Sequence, residues 1–219
     1  MHIYLISGLG ADERLFQHME FPEDTTVHYL PWVSPVSKKE SLQSYCKRLM
    51  WKMDTGRPHI IIGISFGGMV AQELARLTNP LKVILIASIK QHIELPPYFK
   101  VMKLLNIWHL PPKAIKSLAK GGQRIFGQHG KEAYIMFADM VDKTPDPFVP
   151  WAIRQVLTWQ NTDIHPNLIQ LHGTIDKMFP AKFIQGEYIS IEGATHAMTL
   201  FKPNEVNSIL AEQFSSIER

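Results

Sequence analysis

A chain of 219 residues, 45% of them hydrophobic, is long enough to fold as one domain around a sizeable core. The formal charge of +3 comes from Lys and Arg scattered along the sequence, which marks neither a nucleic-acid stripe nor a polybasic membrane patch. One cysteine, Cys46, excludes an internal disulfide, and its helical surroundings mark it as an apolar residue.

The sequence starts directly on a strand-like run at 3–7, with no basic lead-in or cleavage site of a signal peptide. No stretch reaches the roughly 18 uninterrupted apolar residues of a membrane span; the nearest, 95–110, contains Lys100 and Lys103. The expectation is a cytoplasmic protein without membrane insertion. Ser7-Gly8-Leu9-Gly10 follows the first strand, and its glycines allow Leu9 to turn its N–H toward a pocket. The third glycine of a dinucleotide fingerprint is missing at the required offset.

A second strand is expected at 26–30. Ser37 with Glu40 three residues on reads as a capping box opening a helix from about 38 to 53, with Gly56 and Pro58 ending it. The β-branched run at 59–64 then leads through Gly63-Ile64-Ser65-Phe66-Gly67 into a helix carrying Val70, Leu74 and Leu77 on one side, stopped by Asn79-Pro80. Gly-x-Ser-x-Gly between a strand and a helix is a nucleophile elbow. A serine hydroxyl becomes a useful nucleophile when a sharp turn projects it toward a base, and small neighbours leave room for that turn. At the amino end of the helix, free N–H groups favour developing negative charge.

After a fourth strand at 82–87, almost no strand signal occurs until 168. Helical patterns at 98–107, 113–119, 131–141 and 148–158 fill the gap, with Asp146-Pro147 opening the last and Gly121, Gly122 and Gly127 as joints. Connections in compact domains are far shorter, so 89–165 is expected to be an inserted helical cap on a core formed by 1–88 and 166–219. Strands at 168–172 and 188–191 follow, then a closing helix at 204–214 with Val206, Ile209, Leu210 and Phe214 on one face, expected to cover the sheet's edge. The alternation predicts an α/β fold: a doubly wound, mostly parallel sheet of about six strands with helices on both faces.

In this architecture the serine is followed in the chain by an acid and then a histidine. Asp176 lies in the turn after the fifth strand and His196 in the loop after the sixth, at the carboxyl edge where open parallel sheets gather their catalysts. His196 would take the Ser65 proton and Asp176 would fix its tautomer, with the backbone N–H groups of Leu9 and Phe66 as an oxyanion hole. Glu94, Asp142, Asp146 and Asp163 are rival acids, but Ser88-Ile89-Lys90 after the fourth strand holds no carboxylate. His172, just before the acid turn, reads as a buried residue bracing it.

Ser7-Gly8-Leu9-Gly10, Gly63-Ile64-Ser65-Phe66-Gly67-Gly68, Gly173-Thr174-Ile175-Asp176 and Gly193-Ala194-Thr195-His196 together resemble the α/β-hydrolase superfamily, over nearly the whole chain outside the cap. The resemblance implies a Ser65, Asp176 and His196 triad, no metal and no diffusible cofactor. This chain has Ser7-Gly8 where the family often has His-Gly, and it begins at what would be the family's third strand.

Aromatic and Met residues abound in the cap, including Tyr98, Phe126, Met140 and Trp159. An apolar pocket is expected, with Trp108, Met136, Trp151, Phe179 and Met198 as lining candidates. Arg124 and Arg154 stand singly, so no clamp for a diacid is evident, and His92, His109, His129 and His165 are too scattered for a metal site. The expected activity is a serine hydrolase acting on a small to medium, largely apolar carboxylic ester or thioester through an acyl-enzyme, its partner being that small-molecule substrate. A ligand receptor on the same fold, an acyltransferase, a carbon–carbon hydrolase and a triad-assisted lyase stay open at this point, as does the oligomeric state.

Overall fold

The computed structural model describes residues 1–121 and 131–217; Gly122, Arg124, Phe126, Gly127 and His129 lie outside the described residues. Strands β1 (His2–Ile6), β2 (Thr26–Tyr29), β3 (His59–Ile64), β4 (Lys82–Ile86), β5 (Leu168–Gly173) and β6 (Ile189–Ile191) form one sheet. Its order is β2-β1-β3-β4-β5-β6 and every pairing is parallel. All residues of β3 are buried, which is why that strand reads as a continuous apolar run rather than an alternating one.

Successive side chains on these strands enter two different apolar clusters. Tyr4, Ile6, Ile61, Val83 and Leu85 pack with α1 (Leu42–Met50) and α2 (Phe66–Thr78). Ile3, Leu5, Ile60, Ile62 and Ile84 face the other way, against Val206, Leu210 and Phe214 of α8 (Pro203–Ser215), while α7 (Met198–Phe201) adds Met198. The closing helix therefore covers a face of the sheet and not its edge, because its apolar stripe belongs to the same buried cluster as Ile60, Ile62 and Ile84 of β3 and β4. Cys46 is buried in the first cluster, its thiol directed at the Val70 carbonyl.

Between β4 and β5 run α3 (Pro97–Leu104), α4 (Pro112–Gly121), α5 (Lys131–Lys143) and α6 (Phe148–Thr158). Helix α6 is continuous with the core: Phe148 and Trp151 are buried beside Tyr45 and Phe66, and Trp151 Nε1 donates to the Glu40 carbonyl at 2.8 Å. Two helix starts differ from the sequence reading. Helix α1 begins at Leu42 with Ser41 as its cap, the Ser41 hydroxyl accepting from the Ser44 N–H, because the Glu40 carboxylate is occupied by the Val36 N–H and by Arg48. Asp146 does not cap α6 but pairs with Lys116 of α4 at 2.7 Å. Among the described residues, no helix is long and apolar enough to cross a membrane.

Candidate active site

The turn from β3 into α2 places Ser65 at φ 54° and ψ −119°, a backbone conformation costing a residue with a Cβ about 1–3 kcal/mol. Its surroundings impose that geometry. A Cβ on Gly63 would overlap the Gly67 carbonyl, and one on Gly67 would overlap the carbonyls of Ile6 and Ser7 at the end of β1. The Ser65 N–H donates to the Ile86 carbonyl at 3.0 Å, and its own carbonyl accepts from the Ser88 hydroxyl at 2.6 Å. Strands β1, β3 and β4 thus hold the serine from three sides.

The loops after β5 and β6 are fastened to each other. Ile175 N–H donates to the Ala194 carbonyl at 3.1 Å and Gly193 N–H to the Thr174 hydroxyl at 2.9 Å. Gly173 permits this approach, since a Cβ there would overlap the Ala194 carbonyl. Asp176 and His196 are carried on these two loops, and His196 Nδ1 lies 2.8 Å from Asp176 Oδ2 while its Nε2 lies 2.9 Å from Ser65 Oγ. A carboxylate can only accept, so the imidazole proton sits on Nδ1 and Nε2 is left to accept from the serine hydroxyl.

Asp176 is 3% exposed. Burial pushes its carboxyl upward, but the charge and hydrogen bond of His196 and the N–H of Phe179 outweigh burial and hold it below the usual aspartate value. Its other oxygen accepts the N–H groups of Met178 at 2.7 Å and Phe179 at 3.0 Å. His172 is fully buried behind it, with Nε2 donating to the Phe179 carbonyl at 2.6 Å and Nδ1 without a partner among the described residues. The rival acids are engaged elsewhere: Asp142 with Lys120, Asp146 with Lys116, Asp163 with Arg76, and Glu94 with the N–H groups of Lys90 and Gln185.

Leu9 and Phe66 lie beside Ser65 and His196 on one cavity, and neither N–H donates to another described residue. The Leu9 loop is held from behind. Ser7 donates its hydroxyl proton to the Ala11 carbonyl at 2.9 Å and stands 3.1 Å from the Tyr29 hydroxyl, while Trp32 Nε1 donates to the Gly8 carbonyl at 3.1 Å. Among the described residues no group of three His, Cys, Asp or Glu side chains could hold a metal ion.

No family model and no curated protein matches the chain by sequence. Among solved structures, MenH from S. aureus is similar over 100% of this chain and 95% of that chain, with a TM-score of 0.77 at 14% identity. The chain has the α/β-hydrolase fold. A thermophilic esterase from Thermogutta terrifontis is similar over 100% of this chain and 91% of that one, with a TM-score of 0.70 at 16% identity. For an esterase from Exiguobacterium antarcticum the shares are 100% and 92%, the TM-score 0.68 and the identity 15%.

In this α/β-hydrolase fold the cavity above Ser65 measures about 310 Å³. Its walls come from α3 through Phe99 and Met102, from α4 through Ile115, and from α6 through Val149, Ile153 and Val156. No Asp, Glu, Lys or Arg is among its described lining residues, Arg154 included. Of the expected lining candidates, Phe179 alone lines it, its ring tilted edge-on to His196. Trp151 and Met198 are buried in the two core clusters, and Trp108 and Met136 pack at their margins. Val149, Ile153 and Val156, at helical spacing on α6, line the wall instead, and their stripe in the sequence signals burial without saying against what.

Proposed function

We propose that the chain is a serine hydrolase that cleaves a small to medium, largely apolar carboxylic ester or thioester through an acyl-enzyme intermediate. The observation that carries this reading is the continuous hydrogen-bonded chain from Ser65 Oγ through His196 to Asp176, opening into an apolar cavity. In the first step Ser65 Oγ attacks the carbonyl carbon as His196 Nε2 takes the hydroxyl proton, and Asp176 stabilises the imidazolium. The tetrahedral oxyanion receives the N–H groups of Leu9 and Phe66. Collapse expels the alcohol or thiol, which leaves with the proton from His196. A water, deprotonated by the same nitrogen, then releases the acid and restores Ser65.

Under this reading, residues 89–165 act as a cap over a core of 1–88 and 166–219, and their apolar inner faces bind the acyl chain. The named esterases among the similar structures support hydrolysis as the class of reaction. The test is turnover of nitrophenyl esters graded in chain length: Ser65→Ala lowers it by ~10³-fold or more with an unchanged unfolding transition. Normal turnover by that variant overturns the proposal.

A further inference from the structure

The stretch 95–121 contains five lysines and no Asp or Glu. Two of these lysines are neutralised inside the cap, Lys116 by Asp146 and Lys120 by Asp142. Lys100 and Lys103 are exposed and make no ion pair with a described residue, whereas the exposed Lys113 acts through its charge on Asp146. Beside them in the chain lie Val101, Leu104 and Leu105, exposed by 56%, 80% and 69%, and Leu118 of α4 is exposed by 66%. Such aliphatic side chains in a row are rare on the surface of a soluble monomer and mark a surface that is covered in use.

This face also borders the cavity. Phe99 and Met102 on the inner side of α3 line the cavity, while Lys100, Val101, Lys103 and Leu104 point outward from the same helix. Leu110 and Leu118 are both lining residues and exposed.

We infer that the face formed by α3, α4 and the turn between them docks on an anionic lipid bilayer. Exposed leucines flanked by unpaired lysines are what an interfacial helix presents, the aliphatic parts entering the acyl boundary while the ammonium groups meet anionic headgroups. A protein partner fits less well. Contact surfaces between proteins are enriched in Tyr, Trp and Arg and depleted in Lys, and Leu is under-represented among their strongest contacts. Along the sequence the basic residues look scattered; the exposed side of α3 carries two of them, Lys100 and Lys103, neither in an ion pair with a described residue. This inference does not depend on Ser65 being a nucleophile.

Co-sedimentation of the full chain with phosphatidylcholine vesicles, with and without phosphatidylglycerol, tests it. The parent and Ser65→Ala bind equally to the anionic vesicles at low salt, more weakly at high salt, and negligibly to the neutral ones. Lys100→Glu/Lys103→Glu weakens binding by about 25-fold or more, each lysine near the surface contributing roughly fivefold. Leu104→Ser/Leu105→Ser weakens it by about tenfold or more. Both variants keep the parent's circular dichroism. Absence of parent binding to anionic vesicles at low salt overturns the inference, as does parent-like binding by both double variants. Salt-sensitive stoichiometric binding to an acidic acyl carrier protein, without vesicle binding, overturns it in favour of a protein partner.

Discussion

His172 Nε2 donates to the carbonyl oxygen of Phe179 at 2.6 Å, joining strand β5 to the far side of the loop that carries Asp176. Both residues are buried, so water cannot replace this bond. His172→Leu leaves the Phe179 carbonyl without a donor and destabilises the chain by about 1–3 kcal/mol in denaturant unfolding. On the proposed function His172 acts as a positioning residue, and its loss is expected to shift Asp176 and lower kcat by about tenfold or more, with KM nearly constant. Full kcat in a destabilised variant would show that the bond serves stability alone.

The same histidine makes stability depend on pH. Burial lowers its pKa below the ordinary value, the Phe179 carbonyl and Asp176 opposing this without reversing it. The unfolded chain then binds the extra proton, so stability present above about pH 6.5 is lost as the pH falls, by at most ~1.4 kcal/mol per unit from this group. Asp176, also held low, adds a second loss once the pH falls below about 4. Between pH 7 and 5, the denaturation midpoint of His172→Leu declines less steeply than that of the parent. Equal slopes would contradict the assignment.

The φ of 54° at Ser65 stores strain that alanine shares and glycine does not. Ser65→Gly is expected to unfold at a higher denaturant concentration than Ser65→Ala, by about 1 kcal/mol after the entropic cost of glycine is subtracted. Both lack turnover. The reverse order of stability would mean that the elbow is relaxed.

On the proposed function, a cavity of about 310 Å³ with no charged side chain among its described lining residues is expected to disfavour a charged acyl terminus. Adding a carboxylate to the end of a medium-length acyl group buries an unpaired charge, and kcat/KM falls by ~10²-fold or more against the unsubstituted ester. Comparable rates for the two esters would require a cation at the cavity's end.

Much of this was legible where local sequence and tertiary role coincide. Strand β3 has the bounds its β-branched run suggests because burial on both faces demands that composition. The meeting of Ser65, His196 and Asp176 is legible from their turns, each at the carboxyl end of a strand. The start of α1 at Leu42 is not legible, because Glu40 satisfies the pattern of a capping box while its carboxylate answers to Arg48 and Val36. Trp151 and Met198 look like pocket residues by type, but a helical stripe says only that a face is buried. Whether it meets a cavity or the sheet is set by neighbours distant in the chain, such as Tyr45 for Trp151.

The most direct test of the central claim, that His196 activates Ser65, is intact-mass measurement and peptide mapping after reaction with a fluorophosphonate. The account predicts one adduct per chain, on Ser65, formed far more slowly in His196→Ala and absent in Ser65→Ala. Labelling at another residue, or at an undiminished rate without His196, would contradict it.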